Sequence, residues 1–410
     1  MTHVSRRKML ASGGALGALG ALGMAAPAHA RTLLNWTWAP SGSVAGKGAG
    51  ADPRWVWDDE TDPLVADLLD RGDVPRVNEL LWNWERNDQP LPSGLPRDLK
   101  TYIDEARELP SWADRDKLET AAEFNKSRGI YLNLLNGVGG GMLSTAIPAE
   151  ARSVYYSKGG ADMEDRVAKT SILGFAVGAL DAYRPEGTCM VNSVKTRLVH
   201  AAVRHLLQRS PHWGDTIPIS QNDMLVTWHT LPTYAMRKMR EWKVPIGDDE
   251  AEAYLHVWQV TAHMLGIRDE YIPATWDAAD SQSGQVLPPA MGPTREGVEL
   301  TDILLGQLAE QTSPGSISRP LCNALARYLV DKQVADWDEI PREPVWERAI
   351  ATAWPLLVKF REGLIPLPLV PEVAWTIDEA ARRYILFFLT KGKETKIEIP
   401  TVNRPEETSR

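Results

Sequence analysis

Apolar side chains recur every three or four positions along most of the chain, which is the spacing of one face of an α-helix. One such segment begins at Asp62 and Pro63, an N-cap residue followed by proline at the first helical position, and stops at Gly72. Period-two alternation, typical of a strand, occurs only over Lys396–Thr401. The pattern therefore predicts an all-α fold.

The rest of the chain is assigned to an arm, a loop and further helices. Residues 31–61 lack a clear period and are predicted to form an arm that packs by its tryptophans. The proline-rich interval Asp277–Pro293 is either a domain linker or a long loop, and we favour the loop because the part after it is marginal as a separate unit. The further predicted helices are Val74–Glu85, Leu99–Leu109, Ala113–Lys126, Met163–Tyr183, Ser193–Gln208, Asn222–Trp242, Asp248–Leu265, Leu300–Glu310, Arg319–Lys332, Val345–Phe360 and Ile377–Leu389.

The N-terminus has the features of an export signal. Ser5-Arg6-Arg7-Lys8 precedes a weakly apolar Ala/Gly/Leu stretch, which ends at the small-residue site Ala28-His29-Ala30. A transmembrane anchor is the alternative, but the stretch is too short and too glycine-rich to span about 30 Å of hydrocarbon. We expect residues 1–30 to be a twin-arginine signal, residues 31–410 to be a single domain, and the product to be secreted.

Charge and cysteine content exclude several classes of protein. The net charge of −9 becomes −12 once the three basic residues of the signal are removed, which argues against a nucleic-acid partner. Cys189 and Cys322 lie far apart and match no zinc, thioredoxin or covalent-haem motif. They either pair with each other or stay buried singly, and their apolar neighbours favour the second arrangement.

The glycine run Gly137–Gly141 invites a phosphate-loop interpretation, which its context does not support. A dinucleotide fingerprint follows a strand and has the spacing G-x-G-x-x-G, and neither is present. The run is instead expected to let the backbone pass close to a ligand or to another helix.

A group of polar residues stands at the edge of an apolar helix. Arg166, Lys169 and Thr170 follow the spacing i, i+3 and i+4 and therefore share one helix face. If Arg166 is buried it needs a partner, for which Glu150 is a candidate. The alternative is an ordinary solvated face.

Histidines in apolar surroundings are the candidate metal ligands. His200 lies among Val199 and Ala201 and could bind a metal or haem iron, although a lone buried histidine is more often simply hydrogen-bonded. His256 and His263 are seven residues apart, about 10.5 Å along a helix, which is too far for two ligands of one ion. His256 and His263 are therefore expected to pack or to support a ligand residue, and the roles of His205, His229, His256 and His263 stay open.

Together these motifs resemble the latex clearing proteins, which are secreted bacterial rubber oxygenases. The resemblance covers most of the mature chain, and its elements are moderately specific when taken together. They are the twin-arginine signal, Glu150, Asp165-Arg166-Val167-Ala168-Lys169-Thr170, His200 thirty residues after that motif, Trp228-His229 and the His256 to His263 helix.

The resemblance implies a globin-like helical core with additional N- and C-terminal helices, and one non-covalent haem b. It implies a dioxygenase that cleaves the C=C bonds of cis-1,4-polyisoprene with O2 into oligo-isoprenoids with aldehyde and ketone ends. It makes His200 the proximal iron ligand, Lys169 a distal residue that is able to occupy the sixth position, and Glu150 a base. Arg166 and Thr170 match motif residues that matter for activity or stability.

Two other functions are alternatives to a rubber-cleaving dioxygenase. A secreted haem monooxygenase or peroxidase acting on other apolar molecules would share the helical domain, and a haem-binding protein without turnover would share the haem site. We expect a monomer without a transmembrane anchor. A substrate that has no polar group must be recognised by burial of its CH2 groups, at about 0.8 kcal/mol each.

Overall fold

Helices make up nearly all of the regular structure in the computed structural model, which describes residues 36–37, 42–310, 318–363 and 395–404. The all-α prediction is confirmed. The predicted signal at residues 1–30 and the predicted helix Ile377–Leu389 lie outside the described residues. Within them, no helix combines the length and the hydrophobicity needed to cross a bilayer.

The described α-helices follow one another with short connections. They are α1 (Asp62–Arg71), α2 (Val74–Leu81), α3 (Arg97–Ala106), α4 (Arg115–Ser127), α5 (Gly129–Leu132), α6 (Gly141–Thr145), α7 (Pro148–Tyr156), α8 (Lys158–Ala161), α9 (Met163–Val177), α10 (Cys189–Gln208), α11 (Gln221–Trp228), α12 (Tyr234–Glu241), α13 (Asp248–Met264), α14 (Trp276–Ala290), α15 (Arg295–Glu310), α16 (Arg319–Leu329), α17 (Lys332–Trp337) and α18 (Pro344–Arg361).

Two wider π-helical segments interrupt these helices. Asn133–Gly140 joins α5 to α6, and His229–Thr233 joins α11 to α12. The second lies inside the predicted helix Asn222–Trp242 and contains Pro232. Proline lacks an N–H and crowds the carbonyl four residues earlier, and a local π-type turn relieves that crowding. The predicted helix is therefore continuous in path but widened at this point.

Two predictions about segments outside the main helices were wrong. Asp277–Pro293 is not a loop, because α14 begins with Thr275 capping the N–H of Ala278 and reaches its two prolines only in its last turn. Lys396–Thr401 is extended but forms no strand, since the amide side chain of Asn78, rather than a neighbouring strand, pairs with the backbone of Ile399. We call residues 395–404 the C-terminal strap.

The sequence predicts that the N-terminal arm packs by its tryptophans. Backbone pairing contributes to holding it, since Val44 donates to Ile272 O at 3.0 Å and Ala274 donates to Gly42 O at 3.0 Å. Trp55 and Trp57 are half-buried, and the side chains of Trp36 and Trp38 lie outside the described residues, so packing by the tryptophans stays a prediction. A short antiparallel pair, Trp36–Thr37 with Ala49–Gly50, adds to the arm.

Helix α10 is held on one side by ion pairs that lie out of water. Arg197 makes a bidentate contact with Asp58, with donor–acceptor distances of 2.6 and 2.9 Å. Arg204 donates to Asp62 at 2.9 Å and to the carbonyl of Ile219 at 2.9 Å. Helix α10 also packs against α1, α9 and α13. These contacts fix the helix that carries His200.

The glycine run lets two π-helical segments touch. A Cβ at Gly139 would lie 2.7 Å from the Cε1 atom of Tyr234, and one at Gly140 would lie 3.1 Å from the carbonyl oxygen of Thr230. At Gly137 a Cβ would meet nothing within 4 Å. The expectation of a close backbone approach at this run is therefore confirmed for Gly139 and Gly140.

Both cysteines are buried and unpaired, as favoured from the sequence. Cys189 packs in the main core with Tyr183, and Cys322 packs in a separate cluster with Met142.

We predict that Gly139→Ala destabilises the protein by about 1–3 kcal/mol, because the added methyl group overpacks against the Tyr234 ring, whose hydroxyl is tied to Leu329 O. Gly137→Ala is the matched control in the same segment and should leave stability unchanged or slightly raised. Urea unfolding of the three proteins measures the difference. Equal losses in both variants would contradict the packing argument.

Candidate active site

A cavity of about 1330 Å³ opens between α7, α9, α10, α11, the two π-helical segments and the C-terminal strap. It exceeds the roughly 300–1,000 Å³ of most small-molecule pockets, so it has room for a large ligand. Apolar side chains that line it include Leu132, Met142, Leu173, Val203, Leu231 and Leu304. All five residues singled out from the sequence also line it, namely Glu150, Arg166, Lys169, Thr170 and His200.

His200 presents a neutral imidazole to this cavity. Burial, followed by the positive charges of Arg204 and Arg166, lowers the pKa of His200 to about 3, against a smaller opposing effect of Asp58. Its Nδ1 atom is buried and has no hydrogen-bond partner among the described residues. A neutral imidazole with an uncommitted nitrogen is the form that binds a metal.

Glu150 lies in the first turn of α7 with its carboxyl group at the cavity. The hydroxyl of Thr227 donates a hydrogen bond of 2.7 Å to Glu150 Oε1. Burial raises the pKa of Glu150 to about 8, and the negative charge of Asp223 adds to this, whereas Thr227 and Arg166 oppose it. The carboxyl group is therefore mostly protonated at neutral pH and close to the value at which it exchanges a proton readily.

Arg166 lies on α9 across from Glu150. Burial lowers the pKa of Arg166, and Glu150 opposes that shift, so the two charges interact. Among the described residues, however, no hydrogen bond or ion pair within 4.0 Å joins them. Gly159 leaves room for the guanidinium, since a Cβ there would lie 3.0 Å from Arg166 Nη1. The expected Glu150–Arg166 pair is thus a long-range interaction, not a contact.

Lys169 and Thr170 stand one turn further along α9. Lys169 Nζ lies 2.8 Å from Asp165 Oδ2 and 3.7 Å from Glu398 Oε2 of the C-terminal strap. Thr170 is exposed to the cavity, and its hydroxyl has no hydrogen-bond partner in the part of the chain that the structure describes. Arg166, Lys169 and Thr170 therefore share one face of α9, as their spacing predicted.

His229 and His263 are held by hydrogen bonds away from the position of His200. His229 is buried between Thr233 Oγ1 at 2.9 Å and Gln282 Oε1 at 2.8 Å. His263 Nδ1 lies 2.6 Å from Asp269 Oδ1.

His256 is held by a hydrogen bond, whereas His205 lies near a carboxylate without a hydrogen bond to its Nε2 atom. His256 Nε2 accepts from the N–H of Asp114 at 2.8 Å. His205 Nε2 lies 3.4 Å from Asp70. His256 and His263 both contact the ring of Trp112, which gives them a packing role.

Three residues of the site escaped the sequence analysis. Thr227 and Asp223, which bear on Glu150, lie on α11, and Glu398 lies 229 positions after Lys169. None of these contacts has a local sequence signal. Asp165 does have one, because an acid four residues before a lysine on a helix is a common ion pair.

The side chains that line the cavity fit a metal ion that is bound within a larger organic ligand. Among the described residues no three His, Cys, Asp or Glu side chains converge in the manner of a protein-only metal site. What the cavity offers is one neutral imidazole, an apolar lining and space for a macrocycle. A haem needs an axial ligand of this kind and an apolar pocket.

Comparison with known proteins shows the family to which the chain belongs. Residues 131–360 match the family model described as "ER-bound oxygenase mpaB/B'/Rubber oxygenase, catalytic domain". This part of the chain is thus the catalytic domain of an oxygenase. The chain is also 58% identical over 410 residues to the "Rubber oxygenase" of Streptomyces sp. (strain K30), covering 99% of this chain and 100% of that relative.

A solved structure extends the similarity to three dimensions. The described fold matches the "Structure of Latex Clearing Protein LCP in the closed state" with a TM-score of 0.81 and 57% identity, over 89% of this chain and 99% of that one. The chain therefore belongs to the rubber oxygenase family. The resemblance inferred from its motifs is confirmed, and the protein is an oxygenase.

We predict that Glu150→Gln stabilises the chain at alkaline pH. Because the pKa of Glu150 is about 8 when folded and 4.5 when unfolded, only the unfolded chain loses the proton as pH rises between these values, and the free energy of unfolding falls. Glutamine removes this loss, which is worth about 3–5 kcal/mol above pH 8 and vanishes below about pH 4.5.

Urea unfolding of the ligand-free chain at several pH values between 5 and 9 measures this difference. Glu252→Gln, an exposed change on α13, serves as the charge control. A stability difference between Glu150→Gln and the parent chain that does not vary with pH would show that Glu150 titrates normally.

Proposed function

We propose that the protein is a haem b-dependent dioxygenase that cleaves the C=C bonds of cis-1,4-polyisoprene endolytically, giving oligo-isoprenoids with aldehyde and ketone ends. The observation that carries the proposal is the neutral, partly uncommitted imidazole of His200 on an apolar cavity of about 1330 Å³ that also holds the buried acid Glu150. The rubber oxygenase of Streptomyces sp. (strain K30), at 58% identity, supports the choice of substrate.

His200 would hold the haem iron, and Lys169, which also lines the cavity, would be a second possible ligand. When bound, the haem supplies an iron centre that activates O2 for attack on the double bond. The apolar side chains of the cavity bind the polymer by removing its CH2 groups from water, at about 0.8 kcal/mol each. They also keep bulk water away from the reacting carbons.

Glu150 is proposed to move a proton at the allylic CH2 beside the double bond. Its pKa of about 8 leaves a small ionised fraction at neutral pH and makes that fraction a stronger base than an ordinary carboxylate. Thr227 keeps one oxygen of Glu150 in place by its hydrogen bond of 2.7 Å. The positive charge of Arg166 favours the ionised form.

The overall reaction balances without an external reductant. The C=C bond is broken, two C=O bonds form, and O2 supplies both oxygen atoms. No proton is released in the net reaction, so any proton that Glu150 takes must be returned to the product. A residue whose pKa lies near the working pH suits both steps.

We further propose that residues 1–30 are a twin-arginine export signal and that residues 31–410 form one secreted, monomeric domain. The motif Ser5-Arg6-Arg7-Lys8 supports the first statement. The proposal of one domain is supported by the cavity, whose lining residues run from Pro75 to Thr401.

We predict that His200→Ala abolishes haem binding, because it removes the neutral imidazole that the cavity offers to the iron. His212→Ala is the control. His212 is exposed and stacks on Tyr156, and the change should leave the haem content at one per chain. The pyridine haemochrome assay measures both. Haem at the normal ratio in His200→Ala would remove His200 as the ligand.

We predict that the haem-loaded chain consumes O2 in the presence of latex and releases products with carbonyl ends. Glu150→Gln should keep its haem and lose roughly 10²- to 10⁴-fold in rate, the usual effect of removing a general base. Glu252→Gln should retain the full rate.

Product analysis and O2 uptake check this prediction and separate the alternatives. Epoxides or alcohols would indicate a monooxygenase instead. Haem without O2 uptake would indicate a binding protein without turnover.

A further inference from the structure

The C-terminal strap brings a carboxylate to the wall of the cavity beside Lys169. Glu398 Oε2 lies 3.7 Å from Lys169 Nζ, and both residues line the cavity. Asp165, the second partner at 2.8 Å, belongs to α9 and moves with Lys169. Among the described residues, Glu398 is therefore the carboxylate partner of Lys169 that another element of the fold supplies.

The position of Glu398 is fixed by the neighbouring residue. The side chain of Asn78 accepts from Ile399 N–H at 3.0 Å and donates to Ile399 O at 2.9 Å. The side chain of Ile399 is buried in a hydrophobic cluster to which α1, α2, α3 and α10 contribute, and which includes Val77 and Leu198.

Further contacts hold the two ends of the strap. Lys396 pairs with Glu85, and the Asn403 side chain donates to Leu206 O at 2.8 Å. The carboxylate of Glu398 is thus placed by the fold and not by a freely moving tail.

The ion pair and iron ligation exclude each other. An ammonium group has three donors and no lone pair, so a lysine in its ion pair is not a ligand. Lys169 Nζ would have to leave Glu398 and Asp165 to bind a metal in the cavity.

We propose that Glu398 is a positioning residue, which holds Lys169 at the cavity wall and thereby disfavours occupation of the sixth iron position. This inference rests on the proposed function. By this inference Glu398, which is distant in sequence, keeps the site accessible to O2 and polymer.

A second lysine near Glu398 has to be separated from Lys169 in any test. Burial lowers the pKa of Lys195 to about 8, and Glu398 opposes that shift. Lys195 Nζ donates to Leu81 O at 2.8 Å and lies outside the cavity lining. An effect of Glu398 that passes through Lys195 would persist when Lys169 is replaced.

The test uses the full-length, haem-loaded chain and its ferric absorption spectrum, which distinguishes iron that carries a sixth amine ligand from iron that does not. Glu398→Gln should raise the ratio of the amine-ligated to the open form roughly two- to fivefold, as expected for loss of a partly exposed ion pair. Asn78→Ala should shift the ratio in the same direction, because it frees the strap while keeping the charge. Glu252→Gln is the charge control and should leave the spectrum unchanged.

The double variant Lys169→Ala/Glu398→Gln decides the route. Its spectrum should match that of Lys169→Ala alone. Coincident spectra of Glu398→Gln and the parent chain overturn the inference, and so does a spectral change that survives in the Lys169→Ala background. A parent chain that takes up no haem overturns the proposed function itself, which the haem assay reveals before any spectra are compared.

Discussion

The site depends on the ion pairs that the two buried arginines of α10 make with Asp58 and Asp62. Arg197 and Arg204 lie three residues before and four residues after His200, so all three share one helix face. Their contacts with Asp58 and Asp62 hold that face against the start of α1. Separating a buried ion pair would leave an uncompensated charge out of water. This cost disfavours movements that pull the two partners apart. The positive charge of Arg204 also helps to keep His200 neutral, so the contacts that fix the helix also set the chemistry of its imidazole.

The opposite wall of the cavity holds two titratable groups whose charged forms the fold disfavours. Burial raises the pKa of Glu150, which is mostly protonated at neutral pH, and lowers the pKa of Arg166, and each influences the other without contact. Groups in this condition reduce stability, and proteins concentrate them where a ligand or a reaction uses them. In contrast, Lys169 has its charge satisfied by Asp165 and Glu398. The two walls of the cavity therefore differ. The α10 wall is fixed by ion pairs, whereas the wall with Glu150 and Arg166 holds groups whose protonation can change when a ligand binds.

The features that could be predicted from the sequence are those that depend on residues close together in the chain. The face of Arg166, Lys169 and Thr170 follows from helical periodicity, and the close approach at Gly139 follows from its missing side chain. The loop prediction for Asp277–Pro293 was wrong because Pro288 and Pro289 lie in the last turn of α14 and leave the helix before them uninterrupted. The contacts of Thr227 and Glu398 could not be predicted, because they join residues far apart in the chain.

The two isolated, buried thiols have a consequence for how the molecule is handled. Cys189 and Cys322 pack in different clusters, and these are the two cysteines of the whole sequence. No cross-link has to form for the chain to reach its folded state, and none has to be reduced for it to unfold. Its conformational stability is therefore independent of the thiol redox potential of its surroundings. Protein made in a reducing compartment and protein kept under air have the same covalent structure.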